Sequence, residues 1–227
     1  WSFSNHDVTR HVTRWRAHAD GDEAALAKQT AALLASLEGS IGLYQGEELG
    51  LGDTVLDFHE LTDPPAIRYW PEWTGRDGCR TPMVWDDSPH GGFTSARPWL
   101  PVKAPQLERS VAAQHGRQGS VLERWRDVLA FRRERRSLRH GRTRFLDTPE
   151  PVLAFVRHHA DEELVCAFNL SASTVTLELP EAGEIVGPSA AASLAGARLE
   201  LGPSGHAFVA PSFPLSSAAN GAAATRP

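Results

Sequence analysis

An imidazole and a carboxylate stand side by side near the start of the chain, in the triplet Asn5-His6-Asp7. The triplet follows Trp1-Ser2-Phe3-Ser4, an apolar–polar alternation that is typical of a short strand. In α/β barrels the carboxyl ends of the strands carry the catalytic groups. The triplet is therefore a candidate catalytic site, although an Asn-His-Asp triplet taken alone is more often a hydrogen-bonded turn.

A helix and a second short strand follow the triplet. Asp20-Gly21-Asp22-Glu23 is a helix-start signal, apolar residues recur at helical spacing up to Leu37, and Gly39 is the expected stop. Ile41-Gly42-Leu43-Tyr44 is typical of a buried strand that opens into Gln45-Gly46-Glu47. Strand, helix and strand in this order predict a parallel βα unit, with both strand ends on one rim.

Residues 51–118 lack periodicity and are rich in proline, glycine and aromatic residues. A loop this long inside a compact domain is usually functional or disordered, and its aromatic content favours a structured loop. Flat aromatic faces pack against sugar rings, but they also pack loops onto a barrel, and both readings are open for Tyr69, Trp70, Trp73, Trp85, Phe93 and Trp99.

The last third of the chain changes character. Ser120 and Glu123 have the spacing of a capping box, which predicts a helix that runs to Gly141. Its arginine-rich end, Arg132 to Arg139, favours a solvated helix end over an anion or nucleic-acid patch. Short alternating segments then predict an all-β domain over 141–211, namely 152–157, 164–169, 174–179, 198–201 and 206–210. Residues 212–227 are predicted to be a disordered tail.

Composition excludes several classes of function. With 28 acidic and 23 basic residues among 227, the net charge of −5 argues against nucleic acid and anionic membranes as partners. No apolar run could span a bilayer and no export signal is visible.

The chain begins at Trp1, inside a predicted strand, so the natural N-terminus is expected to be missing. Cys79 and Cys166 are predicted to be reduced thiols, which favours a cytoplasmic location.

Three ordered motifs carry a family resemblance: Phe3-Ser4-Asn5-His6-Asp7, then Leu43-Tyr44-Gln45-Gly46-Glu47-Glu48-Leu49-Gly50, then Gly75-Arg76-Asp77-Gly78-Cys79-Arg80-Thr81-Pro82-Met83. Together with Asp63-Pro64-Pro65 and Trp85-Asp86, they resemble the α-amylase family of glycoside hydrolases. Within that family the resemblance is closest to the α-glucosidases and oligo-1,6-glucosidases, and it extends over nearly the whole chain.

The resemblance implies an α/β fold: the C-terminal portion, or last two βα units, of a (β/α)8 TIM barrel, followed by a small antiparallel β-sandwich domain. Residues 1–140 would be the barrel part, with 51–118 as a long substrate-side loop, and 141–211 the sandwich. The catalytic residue implied is Asp7, which would hold the distorted sugar ring in the transition state. His6 and Arg76 would bind the same sugar, while Arg10, Glu47, Glu60 and Arg80 are expected to be structural or to support the residues that bind the sugar. No cofactor and no metal site are expected.

The function implied is retaining hydrolysis of terminal α-linked glucose from short oligosaccharides such as maltose or isomaltose. That reaction needs a nucleophilic carboxylate and an acid/base carboxyl about 5 to 5.5 Å apart. In the family both lie on earlier strands, so the missing N-terminal part of the barrel is an expected partner and the chain alone should be inactive. The alternatives are a transglucosidase or sucrose-isomerase-type relative and, from another class, a catalytically inactive relative that serves as a binding module.

Overall fold

The computed structural model describes residues 1–160 and 162–215. Residues 216–227, most of the predicted disordered tail, lie outside the described residues. The chain divides into two compact units, Trp1–Leu34 with Ser40–Leu129, and Ala35–Gly39 with the chain from Ala130 onward. The first unit consists of helices and irregular segments, whereas the second is built on a β-sheet.

Seven α-helices occur among the described residues, and short 3₁₀ turns separate several of them. None of these helices combines the length and the apolar character that a membrane crossing requires. Their bounds are α1 His11–Trp15, α2 Glu23–Ser36, α3 Pro64–Tyr69, α4 Ala104–Leu107, α5 Val111–Gln114, α6 Val121–Glu134 and α7 Arg136–His140.

The two extended segments predicted in the first unit lie beside each other. The amino group of Trp1 donates to the Ser40 carbonyl, and the Gly42 amide donates to the Trp1 carbonyl, both over 2.7 Å. These are the two hydrogen bonds that a parallel pair makes around one residue, with Trp1 opposite Ile41. The predicted parallel pairing is therefore present, although no longer ladder forms among the described residues.

Helix α2 confirms the prediction made from its sequence signals. The Asp22 carboxylate accepts from the Ala25 amide (2.8 Å), which caps the first turn. Leu26 and Leu34 belong to its buried face, and Gly39 follows with a φ of +91°, a conformation that glycine adopts at little cost.

The second predicted helix is broken in two. Ser120 caps α6 by accepting from the Glu123 amide (3.2 Å), but Glu123 accepts from the Gly116 amide instead of reaching back to Ser120. At Arg135 the backbone leaves the helical region (φ −95°, ψ 117°). The carboxylate of Glu162 then accepts from the first amides of α7, so a distant residue supplies the cap of this second helix.

The second unit contains one antiparallel sheet in the order β1-β2-β3-β6-β4, with β5 also paired to β6. Apolar residues of β2, β3, β4 and both halves of β6 share one buried cluster, so the sheet folds over a common core. The strand bounds are β1 Arg142–Phe145, β2 Val152–His159, β3 Glu162–Asn169, β4 Val175–Glu178, β5 Gly183–Ala195 and β6 Arg198–Pro211.

Strands β1 and β5 were not predicted from the sequence, and two of the predicted strands form one continuous strand. Strand β5 is rich in Ala, Ser and Gly and its register against β6 shifts twice, so it lacks the alternation of large apolar residues that marks a strand. Strand β1 is only four residues long. The predicted segments 198–201 and 206–210 both belong to β6, which continues through the intervening Gly-Pro-Ser-Gly.

The arginine-rich end of α6 was predicted to be a solvated helix end. Arg132, at this end, instead contacts backbone carbonyls. Its guanidinium donates to the carbonyls of Ala35 (2.6 Å), Leu37 (3.0 Å) and Gly39 (2.6 Å). The buried Arg157 donates to the neighbouring Ser36 carbonyl. The last carbonyls of a helix have no partner within the helix, so these two cations stabilise the end of α2.

Replacing Arg132 with methionine is expected to lower the free energy of unfolding of the protein by about 2 kcal/mol, because backbone carbonyls lose a charged donor. Arg133→Met is the matched control, since Arg133 is exposed and its guanidinium makes no hydrogen bond among the described residues. Chemical denaturation measures the free energies, and hydrogen exchange of residues 35–39 locates the effect. Equal losses in the two variants would contradict this role for Arg132.

Candidate functional site

The triplet Asn5-His6-Asp7 forms a tight turn. The Asp7 amide donates to the side-chain oxygen of Asn5 (2.8 Å), and Asn5 forms an isolated bridge with Val8. The turn leaves 51% of the Asp7 side chain and 69% of the His6 side chain exposed, with His6 Nε2 3.3 Å from Asp7 Oδ2. Both side chains are therefore available to a ligand.

Arg76 meets Asp7 from 69 residues further along the chain. Its Nη1 donates to Asp7 Oδ1 (3.1 Å), while its Nε and Nη2 donate to the two carboxylate oxygens of Asp63 (3.0 and 2.8 Å). The Asp63 side chain is fully buried and also accepts from the Arg76 amide. Asp63 thus fixes the guanidinium plane, and one N–H of that plane is directed at Asp7.

A further buried carboxylate organises Asp63 itself. Asp77 accepts from the amides of Thr62 (2.6 Å) and Asp63 (2.8 Å), and its side chain is buried. Asp77, which follows Arg76 in the sequence, and Asp63, which contacts its guanidinium, are therefore joined by hydrogen bonds from backbone amides. Such a rigid support favours a defined position for the guanidinium.

Arg80, which was predicted to be structural or to support the residues that bind the sugar, also contacts Asp7. Its Nη2 donates to Asp7 Oδ1 (2.9 Å) and its Nε donates to the His6 carbonyl (2.7 Å). A short 3₁₀ turn, Asp77–Cys79, separates Arg76 from Arg80. The spacing of two arginines around this turn was the signal in the sequence that could have revealed the pair.

The surrounding charges keep Asp7 ionised. Partial desolvation raises the pKa of Asp7, but the His6 imidazole and the hydrogen bonds from Arg76 and Arg80 outweigh it, so the pKa lies below the ordinary value. The hydrogen bonds from Arg76 likewise lower the pKa of Asp63. At neutral pH the site therefore presents a carboxylate that accepts hydrogen bonds and does not serve as a proton donor.

The aromatic residues of the 51–118 segment divide into two groups. Trp70 is half-buried against the apolar cluster that contains Leu56 and Leu100, as expected for a ring that packs the loop. The other five rings predicted from the sequence are between 44% and 58% exposed, so each keeps a surface that a sugar could contact and both interpretations stay open: Tyr69, Trp73, Trp85, Phe93 and Trp99.

A buried polar network lies next to the triplet. His11 Nδ1 is 3.0 Å from both Ser4 Oγ and Glu47 Oε1, and His11 Nε2 is 2.9 Å from Thr30 Oγ1. His11 and Glu47 are 2% and 1% exposed, so these contacts replace water completely. Because Ser4 immediately precedes the triplet, the network fixes the backbone from which His6 and Asp7 project.

Replacing Glu47 with glutamine is expected to destabilise the protein by about 1–3 kcal/mol, because the amide nitrogen cannot accept and either His11 or the Tyr44 amide loses its acceptor. The control is Glu48→Gln. Burial raises the pKa of Glu48, so its charged form is disfavoured, and an amide oxygen can still accept from the Gly46 amide. Thermal unfolding should show a clear loss for Glu47→Gln alone, and equal shifts would refute the network's importance.

The other predicted structural residues hold the backbone. The buried Arg10 donates to the carbonyls of Gln45 (2.7 Å) and Cys79 (2.9 Å). Glu60 forms an ion pair with Lys103.

Among the described residues, one group has ligand atoms close enough to share a cation, Asp57, His59 and Glu60. Glu60 already accepts hydrogen bonds from the Asp57 amide and from Lys103, so its carboxylate is balanced by the lysine without a bound cation.

A carboxylate at the end of a parallel βα unit, joined by histidine and arginine and followed by an antiparallel β domain, is the arrangement of barrel glycoside hydrolases. Residues 1–141 match the model of the alpha amylase catalytic domain. Residues 143–205 match that of the maltogenic amylase C-terminal domain. The chain belongs to the alpha-amylase family.

Known proteins resemble the chain in sequence and in structure. It is 50% identical to a probable alpha-glucosidase of Rhizobium meliloti over 79% of its length, and 31% identical to an oligo-1,6-glucosidase of Heyndrickxia coagulans over 79%. These alignments cover 32% and 36% of the two relatives, so the chain spans about a third of the length of the curated relatives it matches.

Solved structures extend the likeness to the fold. An alpha-glucosyl transfer enzyme, XgtA, superposes with a TM-score of 0.87 at 44% identity, over 93% of this chain and 40% of that one. A trehalulose synthase superposes with a TM-score of 0.83 at 26% identity, over 92% of this chain and 42% of that one. The predicted fold class, a partial (β/α)8 barrel followed by an antiparallel β domain, is confirmed.

Proposed function

We propose that the chain forms the C-terminal part of a retaining α-glucosidase, which hydrolyses terminal α-linked glucose from short oligosaccharides such as maltose or isomaltose. The observation that carries the proposal is the convergence of His6 and Arg76 on the ionised Asp7, at the end of the first extended segment. We infer that the nucleophile and the acid/base lie on residues outside this chain, which alone should be inactive.

Asp7 would act by accepting hydrogen bonds from hydroxyls of the sugar whose bond is cleaved. An oxocarbenium-like transition state flattens the ring, and only hydrogen bonds that strengthen during this change accelerate the reaction. His6 would bind the same sugar from one side and Arg76 from the other. Arg80 would act as a positioning residue, because it binds Asp7 and the His6 backbone together.

The names of the relatives support hydrolysis of α-glucosides, since two of them are an α-glucosidase and an oligo-1,6-glucosidase. A second candidate is transfer of the glucosyl group to another sugar, or sucrose isomerisation. It is favoured by the likeness to an alpha-glucosyl transfer enzyme and a trehalulose synthase. The two activities share an intermediate and differ in whether water or a sugar accepts the glucosyl group.

We infer the remaining properties from the same observations. Residues 1–140 would belong to the catalytic barrel, with 51–118 as its substrate-side loop, and 141–211 to the β-sandwich domain. Cys79 and Cys166 are buried and unbonded, which fits a reducing, cytoplasmic compartment.

The test compares the purified 227-residue chain with the full-length protein that contains it, using an aryl α-glucoside. The full-length protein should release the aryl group and glucose with retained configuration, whereas the chain alone should release none. Product analysis with maltose, isomaltose and sucrose separates hydrolysis from transfer and isomerisation. Turnover by the chain alone would overturn the proposal.

A further inference from the structure

A second concave site lies in the first unit. This groove, of about 710 Å³, is formed by residues that follow the first extended segment, such as Thr13 and Arg16, and by residues that follow the second, such as Asp53 and Trp70. Asp7, His6 and Arg76 are not among the residues that line it. The two walls of the groove thus follow the two extended segments. Because Trp1 pairs directly with the second segment, no other strand lies between the two segments.

Trp70 supplies a firmly held apolar surface in the groove. Its indole packs against the cluster of Leu56, Leu61, Ala66 and Leu100. The Phe58 ring lies against it with ring centroids 5.9 Å apart and an interplanar angle of 55°. An aromatic ring that is already immobilised loses little conformational entropy when a ligand stacks on it.

Asp53 supplies an acceptor. Its Oδ1 accepts from the Arg10 amide (2.7 Å), whereas its Oδ2 makes no hydrogen bond with any described residue. This oxygen lies near Gly78, where an added Cβ would be 3.2 Å from it, and Gly78 lines the groove as well. Burial raises the pKa of Asp53, which indicates a carboxylate that is poorly hydrated and gains from a hydroxyl donor.

Arg16 supplies donors on the same groove. Its side chain is exposed and forms no ion pair within the described ranges 1–160 and 162–215. The groove also contains three carboxylates, Glu23, Asp53 and Glu108, and two further cations, Lys103 and Arg109, which form ion pairs with Glu60 and Glu23. This mixture of charges disfavours an anion and suits a neutral ligand that carries many hydroxyls.

We propose that the Trp70–Asp53–Arg16 groove binds a neutral oligosaccharide of α-linked glucose, two or three units long, while the reaction proceeds at Asp7. The proposal rests on the proposed function for its choice of sugar. The apolar C–H face of a pyranose would stack on Trp70, and hydroxyls at its edge would donate to Asp53 and accept from Arg16. The volume lies within the roughly 300–1,000 Å³ of small-molecule sites. The groove would thus retain oligosaccharide chains beside the site that cleaves them.

The experiment titrates maltotriose into the full-length enzyme whose active site is saturated with 1-deoxynojirimycin, a glucose-sized glucosidase inhibitor. Calorimetry should detect residual binding of maltotriose in the wild type. Trp70→Ala should weaken it roughly ten-fold, and Arg16→Gln, at an exposed position that does not threaten folding, roughly three-fold. Phe213→Ala is the control, because Phe213 is a 69% exposed aromatic residue outside the 51–118 segment and does not line the groove.

The proposal is overturned if the saturated wild type binds no maltotriose, or if Trp70→Ala and Arg16→Gln both behave like Phe213→Ala. Preferential binding of glucose 6-phosphate over maltotriose would likewise overturn it, because that would indicate an anion site. Turnover of an aryl α-glucoside by the same preparations tests the proposed function separately. A wild type that cleaves the glucoside but binds no additional maltotriose would refute the groove alone.

Discussion

Replacing Asp7 with asparagine in the full-length enzyme is expected to lower kcat for an aryl α-glucoside on the order of 10³-fold. An asparagine keeps the shape of the side chain, but it carries no charge and has one acceptor oxygen instead of two. The proposed role of Asp7 is to accept hydrogen bonds that strengthen in the transition state. Its loss should therefore lower kcat and kcat/KM together and leave KM nearly unchanged.

The same substitution should leave the fold intact. The Asp7 side chain is 51% exposed, and Arg76 keeps its bidentate contact with Asp63 when Asp7 is changed. Asp87→Asn is the control, since Asp87 is an exposed aspartate of the 51–118 segment that makes no contact with the site. Steady-state kinetics and thermal unfolding of both variants test the prediction. A kcat for Asp7→Asn within a few-fold of the wild type would remove Asp7 from the mechanism.

Replacing Asp63 with asparagine is expected to lower kcat/KM by about 10- to 100-fold, although Asp63 does not face the sugar. Its carboxylate accepts three hydrogen bonds from Arg76, and an amide cannot accept on both sides. The guanidinium would then lose its fixed plane. Because Asp63 is fully buried, the free energy of unfolding should also fall by about 2 kcal/mol.

A double-mutant cycle separates positioning from a general loss of stability. In an Arg76→Ala background, Asp63→Asn should cause little further loss of kcat/KM, because the group that Asp63 positions is gone. Additive losses in the double variant would show that Asp63 acts by another route.

The pH dependence of stability offers an independent check on Asp63. Its folded-state pKa lies below the ordinary value of 3.8, so the ionised form contributes stability at neutral pH. That contribution is complete above the ordinary aspartate pKa and is lost as the pH falls through the lower folded-state pKa. Asp63→Asn should therefore reduce the decline in stability on acidification, and an identical acid profile for the two proteins would contradict this account.

Much of the fold could be predicted because its signals are local. The capping carboxylate of Asp22 and the stop at Gly39 lie within the helix they bound, and alternating residues reveal β2 and β3. Strand β5 lacks such a pattern, and its pairing depends on β6. The break at Arg135 depends on Glu162, which caps α7 from more than twenty residues away. Backbone groups that are satisfied by distant partners leave no local trace in a sequence.

In the candidate site, too, the local features could be predicted from the sequence and the contacts between distant residues could not. The local sequence was sufficient to predict that His6 and Asp7 project together from the end of the first extended segment, because the Asn5 side chain closes the turn there. It also determined the family, through three ordered motifs. The shared contact of Arg76 and Arg80 with one oxygen of Asp7, and the fixing of Arg76 by Asp63, became apparent only from the folded chain. The physical reason is that a guanidinium is positioned by buried acceptors close in space, and the distance along the chain does not indicate which acceptors those will be.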